Sequence, residues 1–338
     1  MRFLLLPASL IYYLIISVRN KLYDFNVLKS NRVEKSIGIG NLSMGGTGKT
    51  PLTLYLASWL ADHNQKVAIL SRGYKRTTKG FLEVLNKHKS HEVGDEPLMY
   101  KKRLGELVKV FVSKNRYEGS KIVRKDDKAT FILFDDVFQH RIVNPSISII
   151  ASPYSDLFHK DFVLPVGRLR EPKSHIHRAQ CIVITGCPPD LSETAKEKVA
   201  SELSCYNKPV FYSTIHYDAM KCFGTKVDSI HKVLLVTGIA NNEHLVSYLK
   251  KTYEIQVISY PDHYNYTEND IRDIHEKFGS FADKESVVLT TEKDMMRMLK
   301  YQEFIDKNKL PMYYQPISIH LQDDGKFKSL IEQYVGEI

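Results

Sequence analysis

The sequence of 338 residues has no Cys-x-x-Cys pair and no His-Cys spacing suited to zinc. Its four cysteines, Cys181, Cys187, Cys205 and Cys222, therefore read as free thiols in a reducing cytosol, not as a disulfide framework. Long apolar runs are also missing. Residues 3–18 carry no charge and are rich in Leu, Ile and Tyr, but they fall short of the about 20 residues that a spanning helix needs. Pro7 interrupts the first part of that stretch. No RNA-recognition, zinc-finger or helix-turn-helix signature is present, which argues against nucleic acid as a partner. No Asn-Lys-x-Asp guanine signature, internal repeat or low-complexity segment stands out. What the composition does contain is a net charge of +9 and a pI near 9.1. That charge implies an anionic partner, either a phosphate ligand or an acidic membrane.

The most informative segment is Ser43-Met44-Gly45-Gly46-Thr47-Gly48-Lys49-Thr50. A short strand pattern precedes it and a helical pattern follows, the setting of a phosphate-binding loop. Glycines let successive backbone N–H groups face an anion, and the helix N-terminus adds its positive dipole end. Lys49 is placed to reach the outer phosphates of a nucleotide, and the Thr50 hydroxyl to hold Mg²⁺. Pro51 suits a first helical turn, where its missing N–H costs nothing. The usual pattern has glycine where this chain has Ser43.

Apolar strand patterns then alternate with amphipathic ones, at residues 66–70, 108–112, 130–134, 147–151 and 181–185. This predicts an α/β, phosphate-loop NTPase-type, doubly wound and mostly parallel sheet, with ligands at the carboxyl ends of the strands. A second βαβ pattern starts after residue 228. The expected organisation is an apolar helix over 1–24, a phosphate-loop domain over 25–208, linker strands over 209–227 and a smaller α/β domain over 228–338. For the N-terminal stretch, no small-x-small cleavage site follows, and export would separate the phosphate loop from ATP. It reads as an uncleaved helix dipping into the cytoplasmic leaflet, with Tyr12 and Tyr13 at the interface and Lys29, Arg32 and Lys35 near anionic headgroups. Packing on the protein's own core is the alternative.

Several polar positions could carry chemistry, and each has a plain reading beside the sharp one. Asp135-Asp136 ends an apolar strand: a second Mg²⁺ holder, or a solvated strand end. Asp95 precedes a helical stretch: an N-cap, or a base taking a proton from an attacking hydroxyl. Residues 165–172 carry Arg168 and Arg170: a clamp on phosphate charge, or a surface pair with Glu171. His263 lies in a polar turn, and it and His140 are packing residues or titrating ones.

In this order the motifs resemble those of the tetraacyldisaccharide 4′-kinases, the lipid A 4′-kinase family. The resemblance runs through the apolar N-terminus, Gly40-Asn41, Gly45 to Pro51, Leu70-Ser71-Arg72-Gly73-Tyr74, Gly94-Asp95-Glu96-Pro97 and Asp135-Asp136-Val137-Phe138-Gln139-His140. It continues through Leu164 to Pro172, Asp262-His263 and Thr291-Glu292-Lys293-Asp294. It implies transfer of the ATP γ-phosphoryl group to the 4′-hydroxyl of an acylated disaccharide 1-phosphate glycolipid, at the cytoplasmic face of the inner membrane. It implies further a phosphate-loop kinase domain and a smaller Rossmann-like domain closing on ATP, with Asp95 the catalytic base paired with His263, Asp135, Asp136 and Glu171 serving Mg²⁺, and Arg170 clamping charge. Val137 stands where the family has glycine, so the turn after Asp136 is expected to differ. A membrane-associated ATPase or GTPase switch without a lipid acceptor is the competing reading; it predicts hydrolysis that needs no glycolipid.

Overall fold

Runs rich in Val, Ile and Phe form strands, and the amphipathic segments between them form helices. The computed structural model describes residues 2–338. The first unit comprises helix α1 (Leu6–Asp24), strand β1 (Asn31–Gly40), α2 (Lys49–Asp62), β2 (Val67–Ser71), β3 (Leu82–Glu83), α3 (Ser90–Val93) and α4 (Asp95–Leu104). It continues with β4 (Val108–Val112), α5 (Arg116–Asp126), β5 (Phe131–Asp135), β6 (Val143–Pro153), β7 (Cys181–Cys187), α6 (Glu193–Leu203) and β8 (Val210–Tyr217). The second unit holds β9 (Lys221–Cys222), β10 (Lys232–Thr237), α7 (Glu243–Leu249), β11 (Glu254–Ser259), α8 (Glu268–Phe281), β12 (Ser286–Thr291), α9 (Glu292–Met298), α10 (Gln302–Lys307) and β13 (Met312–Gln315). The chain then returns to the first unit as β14 (Ile317–Leu321) and α11 (Asp324–Val335).

The large sheet has nine strands in the order β14-β8-β7-β6-β1-β5-β2-β4-β3. The strands from β8 to β4 run parallel, and only the two edge strands are antiparallel. Successive residues of β5 show how both faces are covered. Phe131 and Leu133 pack with α2, α4 and α11 residues, while Ile132 and Phe134 pack with Val123 of α5 on the other face. The second sheet, β11-β10-β12-β13-β9, is parallel apart from its short β9 edge. The doubly wound α/β architecture expected from the strand pattern is the one observed.

Two boundaries fall elsewhere than expected. Residues 210–217, read as linker, are β8, an interior strand paired with β7 and β14. Residues 317–335, read as part of the second domain, belong to the first unit: β14 covers the β8 edge, and Phe327, Ile331 and Val335 of α11 are buried in the main core. Composition cannot reveal which of two sheets a strand joins, because the hydrogen-bond partner lies about a hundred residues away in the chain. The two crossings between the units lie side by side and are tied together. Asp218 N donates to the Pro316 carbonyl at 3.1 Å, and Ser318 Oγ donates to Asp218 Oδ1 at 2.8 Å.

Helix α1 lies on the first unit with Ser9, Asn20 and Tyr23 buried. Its other face exposes Leu10, Ile11, Leu14, Ile15 and Val18. No helix among the described residues is long and apolar enough to cross a membrane.

Candidate active site

Strand β1 delivers the chain to the phosphate loop through Gly40. A Cβ at Gly40 would sit 2.5 Å from that of Phe138, so only glycine permits the close approach of β1 to the turn after β5. Within the loop, positive φ falls on Gly45 and Gly48, not on Ser43, so serine costs no backbone strain at the departing position. Ser43 is buried in an antiparallel bridge with Leu169, and Met44 N donates to the Arg168 carbonyl at 2.8 Å. Gly46 and Met44 are exposed, and Thr47 is fixed by Thr185 Oγ1, which donates to its carbonyl at 3.0 Å. Gly48 then caps α2 in the left-handed conformation, leaving Lys49 and Thr50 as the first helical residues. The loop is thus an exposed cradle at a helix N-terminus, the arrangement that binds phosphate through backbone amides.

The β5 end places its two aspartates differently. Asp136 takes φ +47, a left-handed conformation that an aspartate tolerates, and Val137 has no positive φ. The expected disturbance at Val137 therefore does not arise, because the turn puts its strain one residue earlier. Both Asp136 oxygens face Arg170, at 3.0 and 2.7 Å, and Lys49 Nζ lies 3.6 Å from Oδ1. Burial alone would raise the Asp136 pKa, but the Arg170 hydrogen bonds and Lys49 hold it well below the usual carboxylate range. Asp135 is almost wholly buried. Its Oδ2 accepts from Ser71 Oγ at 3.1 Å, and its Oδ1 has no hydrogen-bond partner among the described residues. Burial, followed by the charges of Glu96 and Asp136, pushes its carboxyl up to about 7. Thr50 Oγ1 donates to Glu96 Oε1 at 2.9 Å.

An unpartnered buried carboxylate oxygen beside a helix-start hydroxyl and a second carboxylate is a set of hard oxygen donors. It fits Mg²⁺, through Asp135, Thr50 and Glu96. Asp136, expected as a further metal ligand, is instead paired with cations in this state. Glu171, expected there too, is fully buried, and its Oε2 accepts from Asn20 Nδ2 and Arg178 and lies 2.9 Å from His175 Nδ1. Its charge is neutralised beneath α1, so the structure does not bring Glu171 into this donor set.

Across the cleft, the second unit supplies the remaining groups. Gly94, with φ +96, is the N-cap of α4, so Asp95 is not the cap but the first helical residue. Asp95 Oδ1 accepts from the neighbouring Glu96 N at 3.1 Å, and Oδ2 faces the second unit. There it meets His263 Nδ1 at 3.3 Å and Arg297 through both Nε, at 3.1 Å, and Nη2. Burial would raise the Asp95 pKa, but the His263 hydrogen bond and the charges of Arg297 and Lys293 drive it far below the usual range. His263 is held by its own N–H, which donates to the Gly238 carbonyl at 3.1 Å, and its ring meets Tyr74 edge-on at 5.6 Å. Arg297 is fixed in turn by Asp294 Oδ1 at 2.8 Å and the Gly238 carbonyl at 3.1 Å. Lys293 pairs with Glu96. His140 is more than half-buried among Arg116, Arg72 and Arg19; burial first, then those charges, lowers it to about 4, a neutral packing residue.

Sequence reasoning missed Glu96, Arg297 and the role of Lys293. A signal existed: Asp294 and Arg297 are spaced i, i+3 on a helix that starts where β12 ends, and ligand sites gather at such strand ends.

A phosphate loop, a lysine and a metal-ready carboxylate, closed from the opposite side by an aspartate–histidine contact, define an ATP-dependent phosphotransferase of the phosphate-loop class. The sequence profile of the tetraacyldisaccharide-1-P 4′-kinases matches residues 1–336, and the chain belongs to that family. It is similar to the tetraacyldisaccharide 4′-kinase of Flavobacterium psychrophilum, at 37% identity over 98% of this chain and 96% of the other. The same-named protein of Bacteroides fragilis is 34% identical over 98% and 93% of the two chains. The crystal structure of LpxK from Aquifex aeolicus in complex with ATP superposes with a TM-score of 0.75, at 29% identity and covering 99% of each chain.

Proposed function

We infer that the protein transfers the γ-phosphoryl group of ATP to the 4′-hydroxyl of a tetraacyldisaccharide 1-phosphate, a step of lipid A biosynthesis. One observation carries the mechanism: Asp95 at the first unit's edge and His263 from the second unit meet at 3.3 Å, one residue from Glu96, which accepts from Thr50 at the start of α2. In this reading, residues 43–50 hold the β- and γ-phosphates through backbone N–H groups and Lys49. Thr50, Asp135 and Glu96 would hold Mg²⁺, which supplies neutralisation of phosphate charge. Arg170 stands ready to trade Asp136 for the transferring group. Asp95 orients the sugar hydroxyl; as its oxygen bonds to phosphorus and the bond to ADP breaks, the hydroxyl proton passes to Asp95. An aspartate held at low pKa is a weak base, but a loose transition state asks for little activation of the nucleophile, so alignment contributes most. His263 and Arg297 set that alignment.

The exposed apolar face of α1, with Leu10 59% and Ile15 61% exposed, supports seating on an acidic lipid surface. This favours a peripheral position at the cytoplasmic face of the inner membrane, where the acylated substrate resides, and nothing in the site calls for nucleic acid. Incubation with labelled ATP, Mg²⁺ and a disaccharide 1-phosphate glycolipid tests the reading. Label on the distal sugar is expected. Release of labelled inorganic phosphate at the same rate with and without glycolipid would instead mark an ATPase switch.

A further inference from the structure

The polar face of α1 does more than attach a helix. Ser9, Tyr12, Arg19, Asn20 and Tyr23 recur at helical spacing and share one side. The hydrogen bonds from that side land on the turn after β5 and on residues 163–175, which include the arginine loop of residues 165–172. Ser9 Oγ donates to the Val163 carbonyl at 2.8 Å, and Asn20 Nδ2 donates to Glu171 Oε2 at 3.2 Å. Two of the links continue inward and converge. Tyr12 Oη donates to the Arg170 carbonyl at 2.9 Å, and the Arg170 guanidinium grips both Asp136 and Asn41 Oδ1. Arg19 Nη2 donates to the Gln139 carbonyl at 2.8 Å, and Gln139 Nε2 donates to the Asn41 carbonyl at 2.9 Å. Asn41 in turn donates through Nδ2 to the Ser43 carbonyl, at the start of the phosphate loop.

We propose that Tyr12 and Arg19 are positioning residues for nucleotide: the two relays from α1 meet at Asn41 and set the phosphate loop and Arg170 for ATP. The proposal rests on the kinase reading for its purpose but not for its measurement. A helix serving only as an anchor needs no bonds to the main chain of the arginine loop; a half-buried hydroxyl spent on the Arg170 carbonyl orders that loop at each approach of substrate. The lipid-facing helix is thereby mechanically part of the nucleotide site.

The test uses the full chain in detergent micelles. Tyr12→Phe keeps the ring and removes only the donor. It is expected to weaken Mg-ATP binding, read by calorimetry without glycolipid, by roughly 3- to 10-fold, the effect of one hydrogen bond. Flotation with anionic phospholipid vesicles and the melting temperature are expected to stay as in the parent. Arg19→Met is expected to weaken ATP likewise, and Arg19→Lys, which retains a donor, to recover part of the loss. Unchanged ATP affinity in both Tyr12→Phe and Arg19→Met overturns the proposal. So does a loss that appears only together with lost flotation or a lowered melting temperature. Failure of the kinase reading shows separately, as absence of labelled glycolipid with the parent protein.

Discussion

Asp135→Asn provides a perturbation whose effects on stability and on turnover have opposite signs. The carboxyl is buried, faces Glu96 and Asp136, and is lifted from 3.8 to about 7. At about 1.36 kcal/mol per pH unit, ionising it in the folded protein costs up to about 4 kcal/mol. The sign follows from a folded pKa above the unfolded one for an acid. The cost is absent below about pH 4, grows as pH rises towards 7, and is constant above. Asparagine has the same shape, keeps an acceptor for Ser71 and carries no charge. At pH 8 and without Mg²⁺, the variant is therefore expected to melt higher than the parent, by about 5 °C for a chain of this size. At pH 4 the two should melt together. Adding Mg²⁺ and ATP should raise the parent's melting temperature and leave the variant's nearly where it was, because the free oxygen that would hold the ion is gone. Turnover should fall roughly 100-fold or more. Scanning calorimetry at both pH values, beside a phosphotransfer assay, reads all of this. A variant that melts lower than the parent at pH 8, or retains its turnover, would refute the assignment of Asp135 as a strained, metal-ready carboxylate.

Lys49→Ala removes the only side-chain cation on the phosphate loop itself and should cut kcat roughly 10²- to 10³-fold with the fold intact, checked by circular dichroism. Asp95→Ala should lower kcat roughly 100-fold while KM for ATP changes little; a near-normal kcat rules out a role at the acceptor hydroxyl. His263→Ala frees one side of Asp95 Oδ2 and should lower kcat less than Asp95→Ala does, and the double variant should be no worse than Asp95→Ala alone, because both act through one carboxylate. Replacing Ile11 and Ile15 by serine removes apolar surface from the outer face of α1; partition onto anionic vesicles should drop roughly tenfold, and unchanged partition argues against lipid seating.

What could be read from residues alone follows a physical pattern. The phosphate loop was legible because its chemistry is local: glycines, Lys49 and Thr50 must be neighbours in sequence to surround one anion. The parallel sheet was legible because buried strands carry apolar runs such as residues 131–134. Glu171 misled because sequence proximity to Arg170 says nothing of direction: at the end of an extended loop, successive side chains point opposite ways, one to Asp136 and the other under α1. Arg297 escaped notice because its partner, Asp95, lies 202 residues earlier, and no periodicity encodes a contact across a cleft. For α1, periodicity alone showed an apolar helix. The polar stripe that binds the arginine loop became meaningful only when its acceptors, mostly main-chain carbonyls, were in place.

The paired crossings at Asp218 and Pro316 have a mechanical consequence. A body slung from two stapled, adjoining strands can swing but cannot spin. Two tied crossings resist twisting of the second unit more than a single linker would, and His263, Lys293 and Arg297 all sit on that one unit. Their alignment with Asp95 and Glu96 is held by this topology together with the packing of α9, whose Met295 and Met296 join the main core beside α4. For the same reason the final strand and helix cannot be trimmed as a dispensable tail, since cutting them would turn a hinge into a tether.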